Sequence, residues 1–507
     1  MKKIETQGNY FILTDVTSGV SEIERPIKNI SYRDSNNRIN FYETEYNQDI
    51  GDVRGYGLTD LVDSTGTPFA DYNTLLTYLR ANTGNSDGSF TSNNVVKVDG
   101  SEVIQPISVD SLPLNLDAFA RLRISNPTTI FDSKQIYNSK PLFWDDAQVN
   151  GAGTTSAHNT NQASTTISVG AAAGKRVRQT FRHFNYQPGK SQLFIQTFNL
   201  GAGGIGVKKR VGLFNDRNGI FLLQDATTLK IGLRTFTSGV VVDTEIAQDS
   251  WNIDKLDGTG NSGITLDQTK TLIFFSDFEW LGVGTVRYGF FIDGIPYYCH
   301  AIHNSNVNTI VYMSTPNLPL RYEIENDGTG VANSLVHICS TVITEGGRSD
   351  TGFPFGLNRA NNPLITNNDA LIYPLISLRL NPNNLGAFIK LMNFTINCTS
   401  SATYAYYLIV NPTVTGTALS FTNLTNSSIQ YNIATTNATT ISGGTVLLTD
   451  IATDTNNSQS GVKGLLNTDF ALGSKIDGTP DIVCLGIQRL NGGTETFYAS
   501  LNFSETN

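Results

Sequence analysis

The chain has 507 residues, a formal charge of −9 and only 16% charged residues, where an average chain carries about 25%. That acidic balance argues against nucleic acid as the main partner, because surfaces that hold nucleic acid are basic. No run approaches the ~18 apolar residues of a membrane span, so no membrane insertion is expected.

Aromatic residues make up 10% of the chain and glycines number 46. Together with the abundance of Asn and Thr, this suits turn-rich β-sandwiches better than helical bundles. Met1-Lys2-Lys3 leads into Ile4-Glu5-Thr6-Gln7 rather than an apolar run, so no signal peptide is expected. Cys299, Cys339, Cys398 and Cys484 show no metal-site spacing. They read as buried thiols made in a reducing cytosol.

Residues 1–95 read as a small α+β module. Ile27–Tyr32 and Arg38–Glu43 are its expected strands. Tyr72, Leu75, Leu76 and Leu79 then fall on one helical face. The polar run 85–94 reads as a linker. Residues 96–346 read as a large β-sandwich domain. Leu122 and Ile124 alternate with Arg121 and Arg123 as a half-buried strand, and 151–166 looks like a surface loop.

Strand signals recur at Thr165–Val169, Arg176–Phe184, Ser191–Asn199, Val207–Phe214, Gly219–Gln224, Thr228–Thr235 and Gly239–Ile246. The centre of this domain is the stretch from Thr271 to His303. It reads as strands Thr271–Trp280, Val286–Ile292 and Ile295–His300, the last two joined by an Asp293-Gly294 turn. Thr309–Met313, Leu320–Glu325 and Leu335–Thr344 follow.

A boundary falls near Gly346-Gly347. Residues 347–507 form a C-terminal β-rich domain with strands at Ala370–Arg379, Ala387–Ile396, Ala405–Asn411 and Asp481–Gln488. The Thr/Asn-rich run 427–458 reads as loop-heavy. The fold class is therefore mainly β: antiparallel sandwich domains of jelly-roll or lectin-like type, preceded by the small module.

Few motifs carry chemistry. Gly201, Gly203 and Gly206 match a dinucleotide-binding spacing, but a strand rather than a helix follows, which removes the phosphate site. Gly170 to Lys175 lacks both the length and the Ser/Thr of a P-loop. Asp277 and Glu279 sit two apart on a strand, as the carboxylates of some sandwich-fold glycosidases do. No further acid follows Glu279, so a solvent-facing strand with Phe278 and Trp280 turned inward is preferred.

His300 and His303 lack a third metal ligand. Lys208, Lys209 and Arg210, with Arg176, Arg178 and Arg182, concentrate positive charge, and a subunit contact or a solvated strand edge explains this as well as nucleic acid does. Glu279, Trp280, Tyr404 and Tyr406 are candidate carbohydrate contacts, with alternation placing some of the tyrosines in a core instead. No catalytic, cofactor or metal residues are assigned.

Six segments resemble a family of tailed-bacteriophage virion structural proteins. They are DAFARLRISNPTTIFDSKQIY (Asp117–Tyr137), PLFWDD (Pro141–Asp146), RVGLFNDRNGIF (Arg210–Phe221), DFEWLGVGTVRYGFFIDG (Asp277–Gly294), VYMSTPNLPLRYEIEN (Val311–Asn326) and ICSTVITEGG (Ile338–Gly347). Ala120 departs from the glycine expected in the pattern.

The resemblance implies a head-fibre or capsid-decoration protein, as in crAss-like phages. It implies a non-enzymatic role in the virion after synthesis in the host cytoplasm, with other capsid or tail proteins as partners. It also implies a homotrimer, attached through the amino-terminal module. The alternative is a tail-associated fibre that binds a host-surface glycan; a carbohydrate-active enzyme ranks below both.

Overall fold

The computed structural model describes residues 126–347, 352–453 and 471–506 with their side chains. Elsewhere it describes the backbone of several strands and a few residues between 63 and 74. Residues 1–112 and 113–507 form two compact units.

In the first unit, Ser21–Arg25, Tyr10–Asp15, Lys2–Gln7 and Leu61–Val62 make one sheet, in that order. Ile27–Arg33, Arg38–Glu43 and Gly55–Gly57 make another, which includes the expected strand pair. Of the helix expected across Tyr72 to Leu79 only Thr74 is described, and it is helical; the linker 85–94 and the strand around Leu122 and Ile124 lie outside the described residues. Beyond Thr74, the helical segment among the described residues is the 3-10 turn Gln248–Ser250.

The second unit begins with a sandwich of two antiparallel sheets. The eight-stranded sheet runs Thr154–Asn159, Ser164–Val169, Asn333–Glu345, Ser191–Asn199, Thr271–Phe278, Val286–Ile292 and Ile295–Ile302, with Pro127–Lys134 also paired to Asn333–Glu345. The seven-stranded sheet runs Val242–Ala247, Thr228–Thr235, Gly219–Asp225, Val207–Phe214, Leu320–Asn326, Gly174–Thr180 and Trp144–Gly151. Strict alternation decides the inner faces. Along Ser191–Asn199 every second residue is buried, so Phe194 and Phe198 point inward. They meet Phe274, Tyr288 and Phe290 from their own sheet, and Val211, Leu213, Leu222, Ile231 and Tyr322 from the other, in one core. Each such side chain contributes roughly 1.5–3 kcal/mol by leaving water.

The stretch expected at the centre lies instead at one edge of the first sheet, where Ile292 pairs with Ile295 across Asp293 and Gly294, whose φ angles are 52° and 79°. Positive φ at both positions is the hairpin geometry read from Asp-Gly. A Cβ at Gly294 would touch nothing, so any cost of substitution there is conformational. Gly294→Val is expected to destabilise by roughly 1–3 kcal/mol. Thermal melting checks this, and an unchanged midpoint would refute the turn's importance.

A second sandwich follows. Its five-stranded sheet orders Phe353–Asn358, Glu495–Thr506, Phe388–Cys398 and Val462–Leu465, with Leu364–Thr366 also on Glu495–Thr506. Its six-stranded sheet orders Thr422–Asn423, Ile429–Asn432, Tyr373–Leu380, Ile482–Arg489, Ala402–Val410 and Thr445–Asp454. Phe394, Phe497, Leu501, Tyr404, Leu408 and Leu485 share its core.

Three expectations from composition fail here. The supposed loop 151–166 contains the strand Thr154–Asn159, and the run 427–458 contains Ile429–Asn432, Thr439–Ser442 and Thr445–Asp454. Thr154–Asn159 and Thr445–Asp454 are the outermost strands of their sheets. A sheet edge needs little apolar content, so polar composition hides it. Conversely, the expected strand Thr309–Met313 is a loop that buries Tyr312 and Met313 across the end of the sandwich. All four cysteines are free thiols; Cys299 and Cys484 are buried and the other two are half-buried.

Candidate functional site: a cleft between the two sandwiches

Just past the strand Gly174–Thr180 of the seven-stranded sheet, Phe181 meets the second sandwich. Ser474 donates its backbone N–H to the Phe181 carbonyl at 2.9 Å, and Ile476 donates its own to Asp145 Oδ2 at 2.8 Å. Asn317 Nδ2 reaches the Gly386 carbonyl at 2.9 Å. The Arg182 guanidinium lies 5.3 Å from the Phe388 ring centre. Gly473 permits this approach: a Cβ there would sit 2.5 Å from the Phe181 oxygen.

Between these contacts an open cleft of about 460 Å³ remains, within the range of small-molecule sites. One wall is the turn Asn215–Gly219, which the DRNG sequence announces. Asn215 Oδ1 accepts the N–H groups of Arg217 and Asn218 at 2.8 and 2.9 Å. Asn218 is buried and holds the 314 loop, with Oδ1 accepting from Ser314 N at 3.0 Å and Nδ2 donating to Ser314 Oγ at 2.8 Å. This turn sets the exposed Arg217 guanidinium 4.9 Å from the ring centre of Phe236. The opposite wall comes from 382–386 and 474–478 of the second sandwich, including exposed Asn383, Lys475 and Asp477.

The floor is anchored by charge. Arg321 is buried and donates to both Gln179 and the Glu323 carboxylate, and also pairs with Asp216 at 2.8 Å. Glu323 is fully buried, with Arg210 at 2.8 Å and Lys175 at 2.9 Å. Burial would raise its carboxyl, but Arg321, Lys175 and Arg210 outweigh this and hold it well below the usual range. On the same outer sheet face, Arg210, Arg234 and Arg321 lie over Phe214 and Phe221 and seal them from water.

His183, also in the cleft wall, is buried, and its Nδ1 makes no hydrogen bond. Burial pushes it down from the ordinary histidine value of 6.5 to about 4. Between those values the unfolded chain takes up a proton that the folded chain refuses, so stability falls as pH drops from 6.5 towards 4 and levels below. The shift corresponds to about 3 kcal/mol. His337, also buried and beside Arg178, is depressed in the same direction. Urea midpoints at several pH values check this. His183→Gln should flatten part of the slope.

The residues singled out from sequence do not converge. Asp277 is buried and bound by Arg287 at 2.8 and 2.5 Å and by the Tyr298 hydroxyl at 2.7 Å. Glu279 is exposed beyond the strand end. The two carboxylates therefore differ in environment, and Asp277 is already paired with Arg287. Trp280 is half-buried and donates its indole N–H to the Met313 carbonyl at 3.1 Å.

Tyr404 and Tyr406 are corrected outright. Both are buried in the second sandwich's core, against Phe497 and Phe394 respectively, where no surface glycan can reach them. His300 is buried and accepts from the Asn252 N–H at 3.0 Å, whereas His303 is exposed beside Thr285. No group that could hold a metal ion occurs among the described residues.

The basic cluster is spent internally: Arg176 and Arg178 pair with Asp146, Lys208 with Asp225, and buried Lys209 donates to the carbonyls of Leu200 and Ala202. Gly203 serves packing, since a Cβ would lie 1.8 Å from the Ala226 oxygen, and a strand follows Gly206 as expected.

The cleft itself escaped the sequence reading. Its walls come from four distant loops, and only the turn at Asp216–Gly219 carried a local signal.

No family model matches the chain, and no curated protein matches it. Among solved structures, it is similar to a protein of unknown function from Shewanella oneidensis MR-1, at 7% identity over 45% of this chain and 90% of that one, with a TM-score of 0.30. A legume lectin-like domain from Entamoeba histolytica matches at 10% identity over 43% of this chain and 99% of that one, TM-score 0.26. The CBM2 module of the evolved Dit of Lactobacillus casei BL23 phage J-1 matches at 8% identity over 45% and 100%, TM-score 0.30. At such scores the functional reading rests on the chain's own residues.

Proposed function

We propose that the chain is a structural component of a tailed-phage virion: a head-fibre or capsid-decoration protein that self-assembles, attaches to the particle and catalyses nothing. The observation that carries this reading is the ordered series of matching segments from Asp117 to Gly347. Those segments hold one another. Arg210 in one bonds Glu323 in another, Asn218 bonds Ser314, and the Tyr312 hydroxyl donates to the Glu279 carbonyl at 3.0 Å. A resemblance concentrated on mutually supporting contacts points to a shared scaffold rather than to chance composition.

The working form is a homotrimer. Its support is the edge of the seven-stranded sheet, which no further strand among the described residues pairs with and where Val240, Val241 and Val242 are exposed. Apolar sheet edges invite a neighbouring subunit. Residues 1–95 attach the assembly to the particle. Their removal is expected to leave a folded chain that no longer enters particles, as quantified on purified virions. Normal incorporation of the 96–507 chain would place attachment elsewhere. Light scattering on the purified protein reads the assembly state, and a 55.2 kDa species at all concentrations would remove the oligomer.

The second reading, a tail-associated fibre that binds a host-surface glycan, is favoured by one observation: the polar cleft between the sandwiches. Immunogold labelling of particles separates head from tail.

A further inference from the structure

The cleft brings charged side chains of the two sandwiches to face each other. The whole protein carries −9, and the cleft is lined by Arg217, Arg321 and Lys475 against Asp216 and Asp477; Arg217 from one sandwich and Lys475 from the other form no ion pair among the described residues. Arg217 is already oriented by its stack on Phe236, so little side-chain freedom remains to be lost on binding. Asp216 is committed to Arg321, whereas Asp477 accepts the Thr479 N–H at 2.8 Å and keeps its negative charge near Lys475.

Of the lining amides, Asn383 is exposed and Asn215 half-buried, and the hydroxyl of Ser474 beneath them is buried without a partner. Amide and carboxylate groups together offer both donors and acceptors, which hydroxyl groups match in both roles. An apolar ligand would strip water from those groups and replace none of their hydrogen bonds.

We propose that this cleft binds an acidic saccharide, a polyhydroxylated ligand bearing a carboxylate. The planar guanidinium of Arg217 takes the carboxylate as a fork. Lys475 adds charge from the facing wall, and the Arg217–Phe236 stack supplies a flat surface for the sugar ring. The proposal deepens the glycan-binding reading and rests on it.

Isothermal titration of the full chain with a trigalacturonate and with a neutral galactose trisaccharide tests it. Saturable binding of the acidic sugar is expected, with the neutral one at least about tenfold weaker. Arg217→Ala should lower affinity by about tenfold or more, Lys475→Gln by less, and added salt should weaken binding further. Both side chains are exposed, so the variants should fold, and circular dichroism verifies this.

Equal binding of the neutral sugar would overturn the acidic preference and leave the glycan reading standing. Binding of neither sugar would overturn both. Binding untouched by Arg217→Ala and Lys475→Gln would overturn the site.

Discussion

Glu323→Gln is expected to be the most damaging charge change in the first sandwich, costing roughly 3–5 kcal/mol. The carboxylate is fully buried and answers three cations, Arg321, Arg210 and Lys175, at 2.8 to 2.9 Å. An amide keeps the shape but removes the counter-charge. Arg321 is itself buried, so it cannot turn to water. Glu325, at 3.8 Å from Arg210 and 3.9 Å from Lys175, offers partial replacement and pulls the cost towards the lower figure.

The control is Glu325→Gln, which should cost under about 1 kcal/mol because that side chain is 38% exposed. All three tryptophans, Trp144, Trp251 and Trp280, belong to the first sandwich. Tryptophan fluorescence during urea unfolding therefore reads this domain directly. Equal midpoints for the two variants would show that the buried cluster contributes no more than a surface pair.

Much of the sandwich architecture was legible because strands with one buried face announce themselves by period two. Ser191–Asn199, Val207–Phe214 and Thr228–Thr235 were read to the residue. The Asp293-Gly294 hairpin was legible for a local reason, since few residue pairs accept positive φ twice. Strands at polar edges were not, because nothing about Thr154–Asn159 demands apolar residues.

Glu495–Thr506 is a different case. Phe497, Ala499, Leu501 and Phe503 alternate inward, so the signal was present. However, the inward face is closed at both ends by Glu495 and Glu505, which reads as a polar tail. Those carboxylates are satisfied by Thr399, Ser400, Ser427 and Ser428, all distant in sequence.

The same limit applies to the site. Tyr404 and Tyr406 looked like surface aromatics because three tyrosines in four residues cannot all face one way. Tyr404 and Tyr406 are two apart and so share the face turned to the core, while Tyr407 on the other face stays half-buried. The cleft depends on where two sandwiches meet, and no window of sequence contains that.

Arg359→Ala is expected to destabilise the second sandwich by roughly 3–5 kcal/mol. Arg359 is fully buried, and no carboxylate pairs with it among the described residues. Burial alone pushes its guanidinium down to about 10, so it stays charged at neutral pH. The charge is held by oxygen atoms only. Nε donates to the Asn362 carbonyl at 2.9 Å, and Nη1 donates to the Leu375 carbonyl at 2.9 Å and to Thr435 Oγ1 at 2.8 Å. Nη2 donates to the Thr435 carbonyl at 2.7 Å.

One side chain thus ties the 359–362 turn and the segment at Thr435 to the strand Tyr373–Leu380. Alanine would leave those acceptors facing a void. Arg359→Lys should recover only part of the loss, because a point ammonium cannot span the same acceptors as a planar fork. The first sandwich holds every tryptophan, so the two domains can be told apart in one experiment. Far-UV circular dichroism should lose amplitude at lower urea in Arg359→Ala, while tryptophan fluorescence keeps its original midpoint. A shift of both signals together would mean that the sandwiches unfold as one unit, and no shift in either would show that the Arg359 network adds nothing to stability.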